Sequence, residues 1–458
     1  MNLNGLFARL TGRRKLNGVV KLNNGMLSVP LNEVDTTGLE HGVAEFSGYL
    51  RDQDLSFLYV QLPYKESLDG QSLPAGVTTY RDANSGRLPE RLSAAGVETL
   101  DLSPLLCQTP EMLERYFYRT DHHWTSDGAL VGFQAILGRL DEMLPEGNID
   151  LTYAQAGQWE RHEIEDWFLG TWGKRVGVFF GGLDPLIWHT PRFETEMSCA
   201  VPVHGLLYRG DFAGANIRER YIEEKYYFDD SAYLIYIGGD YPLVQHRNPT
   251  APSPLKVLLL KDSFSLPLQA YLSTAFQAVD VIDPRYFWEC SAAEYVEMTK
   301  PDVVILALNP DQQGTLAYQD FGVEAALAAR VADGPGEAVL QRQDIGLSAS
   351  EDDHNYTAYP LEAGTVYRVV FEGVDVPEGQ ADGVGLRLYD KTAAAVLKSM
   401  IFDVACCEAA GGFSWTFRTP DTPDELQLLF YAGIYGSTTG NSVVYRGVTV
   451  EKLNPGET

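Results

Sequence analysis

The chain has 458 residues, 45% of them hydrophobic and 21% charged, with a formal net charge of −28. That length exceeds what a single core usually organises, so two or more globular domains are expected and disorder is excluded as the general state. The strongly anionic surface repels polyanions, which argues against nucleic acid as a partner.

From the N-terminus, one short basic cluster around Arg13, Arg14 and Lys15 reads as a solvated terminus. The first residues lack the positive, apolar and small-residue layout of a signal peptide. They read as if the chain enters a domain midway, so an export segment or anchor upstream of Met1 is expected. Apolar runs at 257–260 and 303–308 are too short to span a bilayer and suit buried strands. Cys107, Cys199, Cys290, Cys406 and Cys407 form no C-x-x-C pair, which excludes a zinc ribbon or a dense disulfide scaffold.

Residues 55–62 read as a strand stopped by Pro63, 80–95 as a helix and 97–102 as a second strand. Further on, 256–261, 278–282 and 303–308 read as strands, with helices at 266–276 and 295–299 between them. This alternation is the pattern of a parallel α/β sheet. Residues 150–232, rich in Gly, Trp and Tyr, interrupt it and read as a β-containing insertion or lid. Past about residue 335, short β-rich runs separated by Glu378-Gly379, Asp382-Gly383, Gly411-Gly412 and Gly440-Asn441 predict an all-β sandwich of jelly-roll type. The expected division is 1–334 for the α/β unit and 338–458 for the sandwich, joined through Ala332-Asp333-Gly334-Pro335-Gly336.

The segment carrying the most chemistry is Arg119-Thr120-Asp121-His122-His123-Trp124-Thr125-Ser126-Asp127-Gly128-Ala129. It precedes an amphipathic helix predicted over 128–144, with Thr125 or Ser126 as N-cap. An Asp two residues before a His can fold back to accept its imidazole N–H, fixing the tautomer and stabilising the imidazolium. Lys261-Asp262-Ser263, after the apolar strand and before a helix, supplies a nucleophile at the carboxyl edge of the sheet. There the following N–H groups and the helix dipole would stabilise an oxyanion. Ser263 is thus the candidate nucleophile, His123 the base and Asp121 the orienting carboxylate. Taken singly, Ser263 reads more readily as a helix cap, His122 or His123 as a hydrogen-bonded structural histidine and Trp124 as a pocket wall or core residue. No metal or cofactor is expected: the aspartate motifs of manganese phosphoesterases are missing, and neighbouring histidines on an extended loop would point apart.

These motifs resemble those of the bacterial DHHW proteins, and more broadly the SGNH-hydrolase-like proteins of the alginate O-acetylation type, AlgX and AlgJ. The resemblance rests on Leu62-Pro63-Tyr64-Lys65, Tyr118 through Ala129, Phe168-Leu169-Gly170-Thr171, Arg175-Val176-Gly177, Lys261-Asp262-Ser263 and Asp283-Pro284-Arg285-Tyr286, and spans roughly 15–320. It implies a flavodoxin-like, SGNH-hydrolase-like α/β/α domain with a triad of Asp121, His123 and Ser263. It also implies an exported, extracellular or cell-surface enzyme that transfers or removes acetyl groups on a polysaccharide, often beside a carbohydrate-binding β-domain. The partners would be a glycan and an acyl donor or acetyl ester. One departure is Lys261, where related hydrolases carry a small residue before Asp-Ser. Arg119 and Trp124 are further substrate-side candidates, and Gly239 and Asn309 stand in for oxyanion donors that have no clear match. The competing reading is a non-catalytic glycan-binding or scaffold protein, with Tyr359, Trp415, Tyr431 and Tyr435 as aromatic candidates on the sandwich.

Overall fold

Eight strands form the central sheet: β1 (Ser56–Gln61), β2 (Thr99–Asp101), β3 (Met197–Val201), β4 (Leu206–Gly210), β5 (Leu243–Arg247), β6 (Ser253–Lys261), β7 (Phe276–Ile282) and β8 (Val303–Leu308). Their order across the sheet is β2-β1-β8-β6-β7-β5-β3-β4. In the computed structural model the described residues are 2–145, 147–225, 227–329, 336–348, 356–375, 384–402, 412–422, 424–432 and 442–453. The strands from β2 to β7 run parallel, and β5, β3 and β4 then continue the sheet antiparallel.

The parallel strands read as continuous apolar runs because both of their faces are buried. Successive side chains alternate between two cores. Leu58, Val60, Val257, Leu259, Val303 and Ile305 face α3 (Ser126–Met143) and α4 (Leu266–Ala275). Phe57, Tyr59, Leu258, Leu260, Val304 and Leu306 face α1 (Thr37–Arg51), α2 (Leu88–Ala94) and α5 (Ala292–Thr299). The expected α/β/α layering follows from this alternation. Thr125 caps α3 by accepting from the Gly128 N–H at 3.3 Å, as its position before the helix predicts.

One expected element differs. The helix anticipated over 80–95 is split into a short turn, Asp82–Gly86, and α2. Asn84 turns its amide inward, donating to the Asn32 carbonyl at 2.6 Å and accepting from the Val34 N–H at 2.9 Å, and this interrupts the helix. The middle region, expected as a β-containing insertion or lid, does contain strands, but some of them extend the central sheet. Trp159–Phe168 pairs with Asp184–Pro191 as a separate hairpin, whereas β3 and β4 belong to the central sheet.

The C-terminal part forms two antiparallel sheets. One orders Glu337–Ser348, Ser442–Leu453, Val366–Phe371 and Phe413–Arg418, with Gly373–Asp375 also paired to Ser442–Leu453; the other orders Tyr356–Leu361, Leu426–Ala432, Val384–Asp390 and Ala395–Phe402. Trp415 and Phe417 from the first share a core with Leu388 and Phe430 from the second. Trp415 is only 1% exposed and Tyr431 is buried beside Arg387, so neither offers the open aromatic platform considered from sequence. Strand alternation turns Trp415 into the core, while Tyr431, next to the core residue Phe430, lies on the opposite face under Arg387. Tyr359 is half-buried with its ring against Phe430. Tyr435, Cys406, Cys407, Gly411, residues 332–335 of the expected linker and the turn pairs at 378–379, 382–383 and 440–441 lie outside the described residues. These sheets meet the α/β part where Lys398 pairs with Glu294 and the Ser399 N–H donates to the Glu289 carbonyl at 2.8 Å.

Candidate active site

The carboxyl ends of four adjacent parallel strands deliver Pro63-Tyr64-Lys65 (after β1), Asp262-Ser263 (after β6), Asp283 (after β7) and Asn309 (after β8) to one edge. Open α/β sheets place ligands at that edge. The loop from Tyr118 to Trp124 closes over it, its ends bridged where Phe117 pairs with Trp124.

Three of the residues singled out from sequence meet here. Asp121 Oδ1 lies 2.6 Å from His123 Nδ1, and His123 Nε2 lies 2.9 Å from Ser263 Oγ. Asp121 is fully buried, and its other oxygen accepts the Thr171 N–H at 2.7 Å. Burial works to raise its pKa, but the His122 and His123 imidazoles and these hydrogen bonds outweigh that and hold the carboxyl well below the usual carboxylate range. A depressed carboxyl contributes stability that is present above the unfolded-chain value of about 3.9 and is lost as the pH falls through the folded value. Acid titration of unfolding free energy should therefore drop more steeply below about pH 4 in the native chain than in Asp121→Asn.

The His123 ring stacks on Tyr233, with centroids 3.7 Å apart and planes 7° from parallel. The Tyr233 hydroxyl in turn donates to the Ser263 and Phe264 carbonyls at 3.0 and 2.8 Å. One tyrosine thus fixes the plane of the imidazole and the backbone beside the serine. The sequence offered no signal for it. Trp124 is buried and donates from Nε1 to the Phe264 carbonyl at 2.8 Å. It braces the serine turn from inside the core.

The tight path of the 118–124 loop has two supports. Lys65 is fully buried, and its ammonium donates to the carbonyls of Tyr118 (2.6 Å), Arg119 (3.1 Å) and Asp121 (2.5 Å) while lying 4.7 Å from the Trp172 ring centroid. Burial pushes its pKa down to about 7. Asp184 accepts the Arg119 and Thr120 N–H groups at 2.5 and 2.7 Å and also the Thr120 hydroxyl. Because three carbonyls converge on Lys65, the loop is bent rather than extended. The His122 and His123 rings consequently lie together, centroids 3.7 Å apart, instead of pointing apart as expected. Burial and the adjacent His123 push His122 down to about 3.

Asp121, His122 and His123 offer ligand atoms within 4.8 Å of one another, a spacing a cation could bridge. Both His123 nitrogens already face hydrogen-bond partners, Asp121 and Ser263. A metal would have to displace one of them.

Gly170 packs directly on this loop: a Cβ there would sit 2.4 Å from Asp121 Cβ and 2.6 Å from its Cα. Gly170→Ala should displace Asp121, costing about 1–3 kcal/mol of stability by overpacking. Thermal unfolding together with the Gly170→Ala pH–rate profile tests this; an unshifted midpoint would show that the loop yields freely.

The remaining candidates lie apart from the hydrogen-bonded chain. Arg119 is exposed, with its guanidinium against Gly182. Asn309 donates its side-chain amide to the Pro63 carbonyl at 2.7 Å, and its N–H to Asp262 Oδ2 at 2.6 Å. The N–H groups expected to follow the serine as oxyanion donors have other uses: Phe264 donates to the Asp262 carboxylate at 2.9 Å and Ser265 to the Asp262 carbonyl at 3.1 Å. Burial pushes Asp262 up to about 7. Gly239 faces the Tyr241 ring, and a Cβ on this glycine would come no closer to it than 3.7 Å. Ser263 itself begins the turn into α4, where the positive end of the helix dipole favours developing negative charge.

The parallel sheet with helices on both faces, carrying Ser263 at its carboxyl edge, is similar to the SGNH-hydrolase-like fold. Residues 24–162, less than a third of the chain, match the family model described as SGNH hydrolase-like domain, acetyltransferase AlgX, and are similar to it. Among solved structures, Bacillus cereus PatB1 is 20% identical with a TM-score of 0.56, covering 66% of this chain and 99% of its own. A second Bacillus cereus PatB1 structure, with a sulfonyl adduct, gives 20% identity and a TM-score of 0.54 over 66% of this chain and 98% of its own. A DHHW family protein from Eubacterium siraeum is 18% identical, with a TM-score of 0.48 over 67% and 95% of the two chains. No curated protein matches the chain.

Proposed function

We propose that this chain is an exported serine O-acyltransferase or esterase acting on acetylated glycan of the cell envelope or its surroundings. The observation that carries the reading is the hydrogen-bonded chain Asp121–His123–Ser263 at the carboxyl edge of the sheet. Ser263 Oγ attacks the acetyl carbonyl carbon as His123 Nε2 takes its proton. The tetrahedral intermediate collapses, the ester C–O bond breaks, and the leaving oxygen receives the proton from the imidazolium. A sugar hydroxyl or water then attacks the acetyl-serine carbonyl carbon as its proton passes to His123, and collapse breaks the bond to Ser263 Oγ, which takes that proton back from the imidazolium and releases acetylated sugar or acetate. Asp121 keeps Nδ1 protonated throughout. Residues 1–334 would carry this chemistry, with 338–458 holding the polymer.

The second reading, a glycan-binding protein without catalysis, draws on the commitment of the Phe264, Ser265 and Asn309 donors to internal partners. Intact-mass spectrometry after incubation with an activated acetyl ester separates the two. Acetyl transfer predicts one adduct that disappears in Ser263→Ala. An adduct that persists in Ser263→Ala, or none in the native chain, would refute the catalytic reading.

A further inference from the structure

The Asp283-Pro284-Arg285-Tyr286 motif takes no part in the chemistry above, yet it leaves β7 beside the strand that carries Ser263. Asp283 is fully buried and accepts Lys261 at 3.1 Å and Arg285 at 2.8 and 2.6 Å. Lys261 also donates to Asp240 at 2.5 Å, and Arg285 lies 3.7 Å from the same carboxylate. Two cations and two carboxylates therefore lock the segment around Asp240 to the turn after β7. The lysine that replaces a small residue before Asp-Ser is the centre of this lock. Lys261 and Asp283 are sealed, whereas Asp240 and Arg285 keep 22% and 17% of their side chains open to solvent.

The turn is rigid. The Tyr286 and Phe287 N–H groups both reach the Asp283 carbonyl at 3.0 Å, and Phe287 is buried with its ring edge-on to Tyr295. Beyond it, Glu289 accepts the Trp288 N–H on its carboxylate at 2.9 Å and the Ser399 N–H on its carbonyl at 2.8 Å. On either side of this anchor two rings face water: Tyr286 is 47% exposed and Trp288 81%. The Arg285 guanidinium is 5.2 Å from the Tyr286 ring centroid, so the polar and aromatic parts adjoin. An indole left in water on a braced turn is an unspent apolar face, and a flat ligand with one apolar side would cover it.

We propose that Asp240, Arg285, Tyr286 and Trp288 form a sugar-ring subsite at the same sheet edge as Ser263, on the turn after the neighbouring strand, which rests on the acyl-transfer reading above. The C–H face of a pyranose would stack on the aromatic rings, and its hydroxyls would bond to the open edges of Asp240 and Arg285. The ring is uncharged or aminated, because Arg285 and Lys261 are already paired with Asp283 and Asp240, while Glu289 and the exposed Asp311 add negative charge that would repel a uronate.

The test compares native chain, Trp288→Ala and Trp288→Phe on an acetylated neutral glycan and on a small aryl acetate. Trp288→Ala should raise KM for the polymer about tenfold while aryl acetate turnover stays unchanged and Trp288→Phe restores polymer binding. Equal polymer KM in native chain and Trp288→Ala, or a loss that Trp288→Phe does not recover, would overturn the subsite. Affinity electrophoresis of the Ser263→Ala chain in glucomannan, glycol chitosan or alginate reads binding without catalysis. Retardation by the first two that is lost with Trp288→Ala supports the subsite even if the native chain hydrolyses nothing. Retardation by alginate alone, or by none of the three, would overturn it.

Discussion

Ser263→Ala is expected to lower acetyl-ester turnover by at least about a thousandfold, with KM little changed. The side chain removed carries the hydroxyl placed 2.9 Å from His123 Nε2, so its loss leaves the imidazole with no serine to activate. His123→Ala should cost a similar factor, and the double variant scarcely more, because residues that act as a unit are not additive. Steady-state hydrolysis of an aryl acetate by the three variants measures this. Losses that multiply in the double variant would mean that Ser263 and His123 act independently, and the proposed relay would fail.

Lys65→Met is the second large effect, and it acts on structure before chemistry. The substitution keeps the volume of the stem but leaves the carbonyls of Tyr118, Arg119 and Asp121 without their shared donor in a buried setting. Each unsatisfied group costs about 1–3 kcal/mol, and relaxation of the loop recovers part of it. A net destabilisation of about 3–5 kcal/mol is expected, comparable to removing one partner of a buried ion pair. Denaturant unfolding measures it directly. Surviving folded protein should also show a drop in turnover larger than any change in KM, since the loop that aims His123 has lost its clamp. A destabilisation under about 1 kcal/mol would show that water takes the ammonium's place.

The sequence made the sheet legible where one physical rule dominated. Apolar runs such as 257–260 and 303–308 have to be strands buried on both faces, and the Asp-x-His spacing is compatible with a fold-back hydrogen bond. What escaped were features set by long-range approach. Tyr233 lies 110 residues from His123 by number and belongs to a short turn with no motif, so nothing local announces the stacked ring. The role of Lys65 was hidden because its partners are carbonyls, which every residue possesses. The interrupted helix near Asn84 and the inward Trp415 show tertiary bonding and sheet facing overriding local propensity. Lys261 looked like a departure from a pattern, but it is a structural lock between Asp240 and Asp283.

The strand order also constrains how the chain comes to its final state. β1 lies near the start of the sheet in sequence but is flanked on its inner side by β8, with Ser56 registered against Val303. During synthesis an apolar strand edge therefore waits for nearly the whole α/β part to emerge before it can be covered. Shortened chains ending before residue 308 would keep that edge open and are expected to aggregate rather than fold. The same delay means that His123 cannot meet Ser263 on a stable sheet until the late strands are in place, so acyl chemistry would switch on only once the sheet is complete.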